Sequence, residues 1–246
     1  MSSFPLTTAS SLEALTEQYR AITNNLANVN TPGFKRTRTS FQQLLDQAAA
    51  AAAADESLPP QAEVTAISGV DFSQGALSHT GRALDLALGG EGFFVLETPD
   101  GPLYTRSGKF HVNVQRQLVD GAGRLVASQG GPITIPPEVS PMAVLVSSDG
   151  VLHAGSEELG KLQVAQFEHP SELIPVGSGC FQAPDAAGRK EAENFSVHQG
   201  SVESSNVSLV EELIGLITVT RLYQANIKSM TTQDQAMKQI LDVALS

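Results

Sequence analysis

The sequence predicts an α+β protein: a discontinuous, coiled-coil-like helical domain assembled from the two chain ends, plus a central all-β domain. Three observations carry that prediction. Apolar residues near both termini recur at alternating spacings of three and four. Short apolar runs punctuated by Gly and Pro fill the middle. The acidity also lies in the middle: residues 48–195 hold eighteen acidic and eight basic side chains, whereas residues 1–47 are net +1 and residues 196–246 net −2. Nearly neutral ends are free to associate, while a charged middle stays solvated.

At the N-terminal end, Leu12, Leu15, Tyr19, Ile22, Leu26 and Val29 step by three and four, which lines one side of a helix with an apolar seam. Ser10 with Glu13 forms a candidate capping box, and Asn30-Thr31-Pro32-Gly33 a stop. That gives a helix of about 19 residues, roughly 28 Å long. The C-terminal end repeats the design over a longer stretch. Leu213, Leu216, Thr220, Tyr223, Ile227, Met230, Asp234, Met237, Leu241 and Ala244 keep the spacing, with Ser208 and Glu211 as a second capping box. No proline interrupts 208–246, so about 36 residues, or roughly 54 Å, can form one helix. Thr220 and Asp234 interrupt a purely apolar seam and would set register. Two ordinary amphipathic helices packed on a central domain are the plain alternative, but a seam of that length exceeds what such a domain covers.

In the middle, strands are expected at Ala83–Leu88, Gly92–Leu96, Leu125–Ala127, Ile133–Ile135, Met142–Val146, Val151–His153, Leu162–Phe167 and Gly179–Gln182. Pro99-Asp100-Gly101 reads as a turn, and Leu103–Arg106 with Lys109–Val112 as a hairpin about Ser107-Gly108. Close Gly and Pro punctuation suits a sandwich or barrel-like domain. The seven alanines Ala48–Ala54, followed by Leu58-Pro59-Pro60, either extend a helix or form a linker. The expected divisions are 1–35 for the first helix, 36–70 for a linker or extended segment, 71–195 for the β domain and 196–246 for the second helix.

Composition excludes several functions. The formal charge is −11, which repels phosphate backbones and argues against nucleic-acid binding. Trp is absent and aromatics make up only 5%, too few for a stacking platform. The single cysteine, Cys180, excludes an internal disulfide and a Cys-rich metal site. No run is long and apolar enough for a membrane span, and Met1–Ser11 lacks a secretory signal pattern.

Catalytic patterns fail in turn. His79, His111, His153, His169 and His198 never bracket a glutamate at helical spacing. Gly90-Glu91-Gly92 lacks the third glycine of a dinucleotide loop, since position 95 is Val95. Gly108-Lys109 and Gly160-Lys161 lack the rest of a phosphate loop. Cys180 has no adjacent histidine to activate it and reads as a buried apolar thiol. Glu157-Glu158 and Glu211-Glu212 are neighbours in sequence that point apart. No catalytic, cofactor-binding or metal residue is expected.

The run Asn24-Asn25-Leu26-Ala27-Asn28-Val29-Asn30-Thr31-Pro32-Gly33-Phe34-Lys35-Arg36 resembles the N-terminal signature of the flagellar axial proteins, the rod and hook family. Phe72–Leu77, Thr80–Leu88, Gly90–Val95 and Tyr104–Phe110 resemble the central domain of that family. Gln199–Val207, leading through Glu211–Ile214 to Arg221–Asn226, resembles its C-terminal signature. Within the family, Thr80-Gly81-Arg82 and the compact middle resemble the proximal-rod branch, whereas Val210–Ile214 and Pro99-Asp100-Gly101 are also close to the distal-rod branch.

The resemblance implies a non-enzymatic structural subunit of the flagellar basal-body rod, which crosses the periplasm, exported unprocessed by the flagellar type III apparatus. It implies rod subunits as partners, no cofactor, no nucleic acid and no membrane insertion. The expected assembly residues are Leu12, Leu15, Tyr19, Ile22, Leu26, Val29, Leu213, Leu216, Tyr223, Ile227, Met230, Met237 and Leu241. Asn25, Asn28, Pro32, Gly33 and Phe34 form the expected motif, with asparagines bonding neighbouring backbone where the helix stops and Phe34 anchoring the exit. An exported surface-binding module is the alternative from outside the class.

Overall fold

The computed structural model describes residues 4–44, 63–192 and 194–245. Two compact units emerge: a helical unit of Met1–Ala27, Thr37–Asp71 and Val207–Ser246, and a β unit of Asn28–Arg36 and Phe72–Asn206.

In the helical unit, α1 spans Phe4–Ala27. It begins upstream of Ser10, so the expected capping box lies inside the helix. Pro5 does not prevent this, because proline is tolerated in a first turn whose N–H groups lack intrahelical partners. The helix also ends two residues short of Val29, which sits in a turn. There the Thr31 N–H donates to the Asn28 carbonyl at 3.1 Å, and the Thr31 hydroxyl to Asn28 Oδ1 at 3.2 Å. Such local bonding competes with helical continuation.

Helix α2 spans Leu209–Leu245, 37 residues or about 56 Å. It starts directly after Ser208, whose carbonyl accepts the Glu212 N–H at 3.0 Å, so the expected start agrees. Among the described residues no helix is long and apolar enough to cross a membrane.

Leu15 and Ile22 of α1 pack with Val219 of α2, flanked by Leu26 and Leu216. Residue numbers fall along α1 as they rise along α2, since Asn25 meets Glu212 while Thr16 and Tyr19 share a cleft with Val219, Thr220 and Tyr223. The pair is therefore antiparallel. Counting residue for residue from the Asn25–Glu212 contact sets Phe4 level with about residue 233, so the last turns of α2 outrun α1.

Within the chain, α1 covers one side of α2 and leaves most of the expected assembly row open. Glu212 and Val219 are buried, with Leu216 and Met230 half-buried, whereas Leu213, Thr220, Tyr223, Ile227 and Met237 are exposed. The reason is that α2 carries apolar residues on more than one side, and α1 covers only one. On α1, Leu15 and Ile22 are buried and Leu12 and Leu26 half-buried, while Tyr19 is exposed. The side chains of Asp234, Leu241 and Ala244 lie outside the described residues.

The same unit holds a hairpin. β1 (Thr37–Leu44) pairs antiparallel with β2 (Glu63–Val70), from Thr37 opposite Val70 to Leu44 opposite Glu63. Arg38 pairs with Asp71 at 2.6 Å beside its open end. Ala48–Ala54 and Leu58-Pro59-Pro60 lie outside the described residues.

The β unit holds β3 (Leu77–His79), β4 (Leu86–Gly90), β5 (Phe93–Glu97), β6 (Leu103–Thr105), β7 (His111–Val112), β8 (Leu118–Val119) and β9 (Leu125–Val126). After them come β10 (Val144–Val146), β11 (Val151–Ala154), β12 (Glu157–Lys161), β13 (Val164–Phe167), β14 (Ile174–Gly177), β15 (Cys180–Gln182), β16 (Arg189–Glu191), β17 (Phe195–Gln199) and β18 (Ser201–Glu203). The largest sheet runs β14-β15-β6-β5-β9-β8-β7, with β13 joining β5 to β16. Strands β10-β11-β12 form a second sheet, and β17–β4 and β18–β3 form pairs. The core gathers Leu86, Leu88, Phe94, Leu96, Phe110, Leu118, Ile133, Ile135, Leu152 and Leu162, all essentially inaccessible to solvent. Phe94 meets Phe110 edge-on at 5.1 Å between ring centroids.

The turn at Pro99-Asp100-Gly101 joins β5 to β6 as expected, closed by the Gly101 N–H on the Thr98 carbonyl at 3.1 Å. The hairpin expected about Ser107-Gly108 does not form. Tyr104 pairs with Val95 and Phe181, and His111–Val112 pairs with Leu118–Val119. At Gly108 the chain instead runs against β4: its carbonyl accepts the Leu86 N–H at 2.9 Å, and an added Cβ would lie 1.6 Å from the Leu86 carbonyl oxygen. Ile133 and Ile135 are buried about an exposed Thr134, but the segment forms a single bridge, Gln117 to Thr134, and Met142 lies in a 3-10 turn rather than a strand.

Amide exchange on the purified full chain should follow this packing. Protection should be strongest at residues 14–25 and 212–219 of the helices and fall away beyond about residue 230, where α1 no longer covers α2. Uniform protection along α2 would contradict the pairing described.

Candidate assembly site

Cys180 is buried, and that burial pushes its thiol above the ordinary value, while Arg124 pulls it back. Ser196 Oγ lies 3.1 Å from His198 Nε2 on the solvent side of β17, but among the described residues no carboxylate bonds that ring to complete a triad. Among the described residues no group of three or more His, Cys, Asp or Glu side chains could hold a metal ion.

Within the β unit, three sequence-distant charges meet out of water. Lys35 Nζ lies 2.6 Å from Glu203 Oε1, with both side chains fully buried. The same ammonium donates to the Ser73 carbonyl at 2.7 Å. Glu203 Oε1 also accepts the Gly75 N–H at 2.9 Å, and Oε2 faces Arg106 Nη1 at 3.5 Å. Arg106 donates to the Gly90 carbonyl at 2.9 Å and lies over the Phe93 ring at 5.1 Å. Burial lowers the proton affinity of Arg106, while the charges of Glu203 and Glu91 oppose that. A buried carboxylate stripped of its cation is costly, so this pairing fixes one arrangement of the segments that carry it.

The motif residues place the neighbouring chain. Gly33 has φ +70°, its N–H donates to the Glu203 carbonyl at 2.7 Å, and an added Cβ would sit 2.2 Å from the Ser107 nitrogen. Only glycine meets both demands. The Phe34 N–H donates to the Thr31 carbonyl at 3.2 Å, and Phe34 and Pro32 are half-buried. The Arg36 N–H donates to Asn206 Oδ1 at 2.7 Å.

Within the helical unit, Asn25 is buried near the end of α1 and binds both backbone groups of Thr37. Its Nδ2 donates to the Thr37 carbonyl at 2.8 Å, and its Oδ1 accepts the Thr37 N–H at 2.9 Å. Nδ2 also reaches Glu212 Oε1 at 3.2 Å. The amide thus stands in for a strand partner at the root of β1.

The helical unit also presents uncovered apolar surface. Val210, Leu213, Ile214 and Ile217 recur at helical spacing on α2 and are all exposed. Beside the helix pair, Thr16, Tyr19, Val219, Thr220 and Tyr223 line a cleft of about 280 Å³. Leu15 and Ile22, expected to meet neighbouring subunits, are already occupied by α2 of the same chain. Val29 lies in a turn of the β unit, outside α1.

Three family profiles match the chain. "Flagella basal body rod protein" covers residues 6–35, "Flagellar hook protein FlgE/F/G D1 domain" residues 87–154, and "Flagellar basal body rod FlgEFG protein C-terminal" residues 198–243. The FlgG protein of Buchnera aphidicola subsp. Baizongia pistaciae is 34% identical over 93% of this chain and 95% of its own length. The chain belongs to the flagellar basal-body rod protein family. Two Caulobacter vibrioides relatives are each 33% identical: FlgF over 85% of this chain and 84% of its own, and FlgG over 94% and 95%.

For a rod-family chain, the charge cluster has a notable origin. Lys35, Arg106 and Glu203 each come from a different matched segment. No periodicity in the sequence connects the three blocks that hold them. A signal was present, since Glu203 is the one charged residue in the stretch Gln199–Val207.

Two measurements check the site. Asn25→Ala should destabilise the chain by about 2–3 kcal/mol in denaturant titration, because it orphans both Thr37 backbone groups. Cys180 should resist iodoacetamide at about pH 8 in the native chain and react once unfolded, because a raised pKa leaves little thiolate.

Proposed function

We propose that this chain is a non-catalytic structural subunit of the flagellar basal-body rod, which assembles helically through α1 and α2 and transmits torque. The observation that carries this reading is the exposed apolar surface on α2, in a chain whose family resemblance extends nearly end to end. An apolar ridge at one place and a cleft at another suit heterologous contacts, which need not close on themselves and so generate helical polymers. Burying such surface stabilises assembly by about 25 cal/mol per Å², which offsets the ordering of the helix ends. Coiled-coil contacts among neighbouring α1 and α2 helices belong to this reading, as do other rod subunits as partners. The chain would reach the rod across the periplasm through the flagellar type III export apparatus.

Between the two rod positions, Thr80-Gly81-Arg82 and the compact middle favour a proximal, FlgF-like subunit. A distal, FlgG-like subunit is the second reading, favoured by the longer alignment to Caulobacter FlgG, 256 residues against 210 for FlgF. Locating a tagged copy in purified basal bodies separates the two.

Ile217→Asp and Ile227→Asp each place a charge on exposed α2 surface without touching the β core. Each variant should fold and be exported, yet fail to enter basal bodies and leave cells non-motile. Normal motility in both would overturn the reading.

A further inference from the structure

We propose that residues 28–36 are a strap that carries force from α1 into the β unit, and that Lys35 is the positioning residue that keeps it fastened. The strap is the chain immediately after α1 and joins that helix covalently to the β unit. Its neck is closed in the helical unit, where the Asn25 amide holds both backbone groups of Thr37. Its body belongs to the β unit and is fastened at three successive places. The Gly33 N–H donates to the Glu203 carbonyl at 2.7 Å. Lys35 Nζ binds Glu203 Oε1 at 2.6 Å and the Ser73 carbonyl at 2.7 Å. The Arg36 N–H donates to Asn206 Oδ1 at 2.7 Å, and Asn206 Nδ2 in turn donates to the Ser73 carbonyl at 3.1 Å.

The kind of attachment is what points to force. On the strap only Gly33 and Lys35 are buried, and its larger apolar members, Val29, Pro32 and Phe34, are half-buried. Apolar contact is non-directional and lets surfaces slide, whereas hydrogen bonds weaken steeply with misalignment. A segment held by short directional bonds at Gly33, Lys35 and Arg36 therefore resists sliding along its own length. Lys35 links the set, because Glu203 supplies its carboxylate to Lys35 and its carbonyl to Gly33, while Ser73 accepts from both Lys35 and Asn206. Losing the ammonium should loosen the Gly33 and Arg36 attachments together.

The mechanical half of this proposal rests on the rod reading; the fastening half does not. Amide exchange on the full-length chain with Lys35→Met tests the fastening. Exchange at Gly33 and Arg36 should accelerate about tenfold or more, with Leu86 and Val95 of the β core unchanged. Unchanged rates at Gly33 and Arg36 overturn the strap. Should Lys35→Met fail to fold, Asn206→Ala carries the test. It removes the Arg36 acceptor and the Ser73 link while leaving Lys35 and Glu203 in place, and a strap acting as one unit releases Gly33 as well; acceleration at Arg36 alone overturns it. In cells whose only copy is Lys35→Met, rods should assemble and swimming should fall increasingly behind the wild type as medium viscosity rises. A deficit equal at all viscosities, or none, overturns the force-carrying role. Absence of the unaltered chain from basal bodies would instead overturn the rod reading and leave the exchange result standing.

Discussion

The Glu203 carboxylate is the constraint around which the β unit is arranged. It lies at the end of β18, out of water, and draws to itself a lysine from the segment after α1, an arginine from the segment after β6 and a backbone N–H from the segment before β3. None of these segments is close to another in sequence. Apolar burial alone would tolerate several registers for the turn-rich chain around them, because hydrophobic contact sets no direction. A desolvated carboxylate is less permissive: every alternative arrangement leaves it or its cations uncompensated. The neighbouring conformations follow from it, including the left-handed Gly33, whose N–H binds the carbonyl of the same glutamate.

What the sequence made legible was whatever repeats with a short period. The two helices announce themselves through apolar spacing, and the α2 start at Leu209 follows from Ser208. Central strands with continuous apolar runs, such as Phe93–Glu97 and Val164–Phe167, are visible for the same reason. Strands such as Arg189–Glu191 and Ser201–Glu203 are not, since their pairing is decided by partners far away in sequence. The α1 start was obscured because Ser10 and Glu13 match a capping box, whereas the helix begins upstream at Phe4, where Pro5 is tolerated in the first turn.

The site shows the same division. Asparagines bonding backbone where α1 stops was a local expectation, and Asn25 does so with Thr37 twelve residues on. The meeting of Lys35, Arg106 and Glu203 was not legible, because no periodicity connects three charges in three separate blocks. Which α2 row the chain itself covers was not legible, for a geometric reason. A helix apolar on several sides does not say which side its own chain will cover, and α1 covers the row through Glu212, Leu216 and Val219 rather than the one through Leu213 and Thr220.

The bidentate grip of Asn25 on Thr37 also makes the chain sensitive to chemical ageing at one atom pair. Deamidation replaces an amide nitrogen by oxygen with almost no change in shape, yet it would convert the donor facing the Thr37 carbonyl into a second acceptor. The new carboxylate would also confront Glu212, which now receives a hydrogen bond from that nitrogen. Shape would survive while every interaction on that side changed sign, so long-lived copies depend on this side chain remaining an amide.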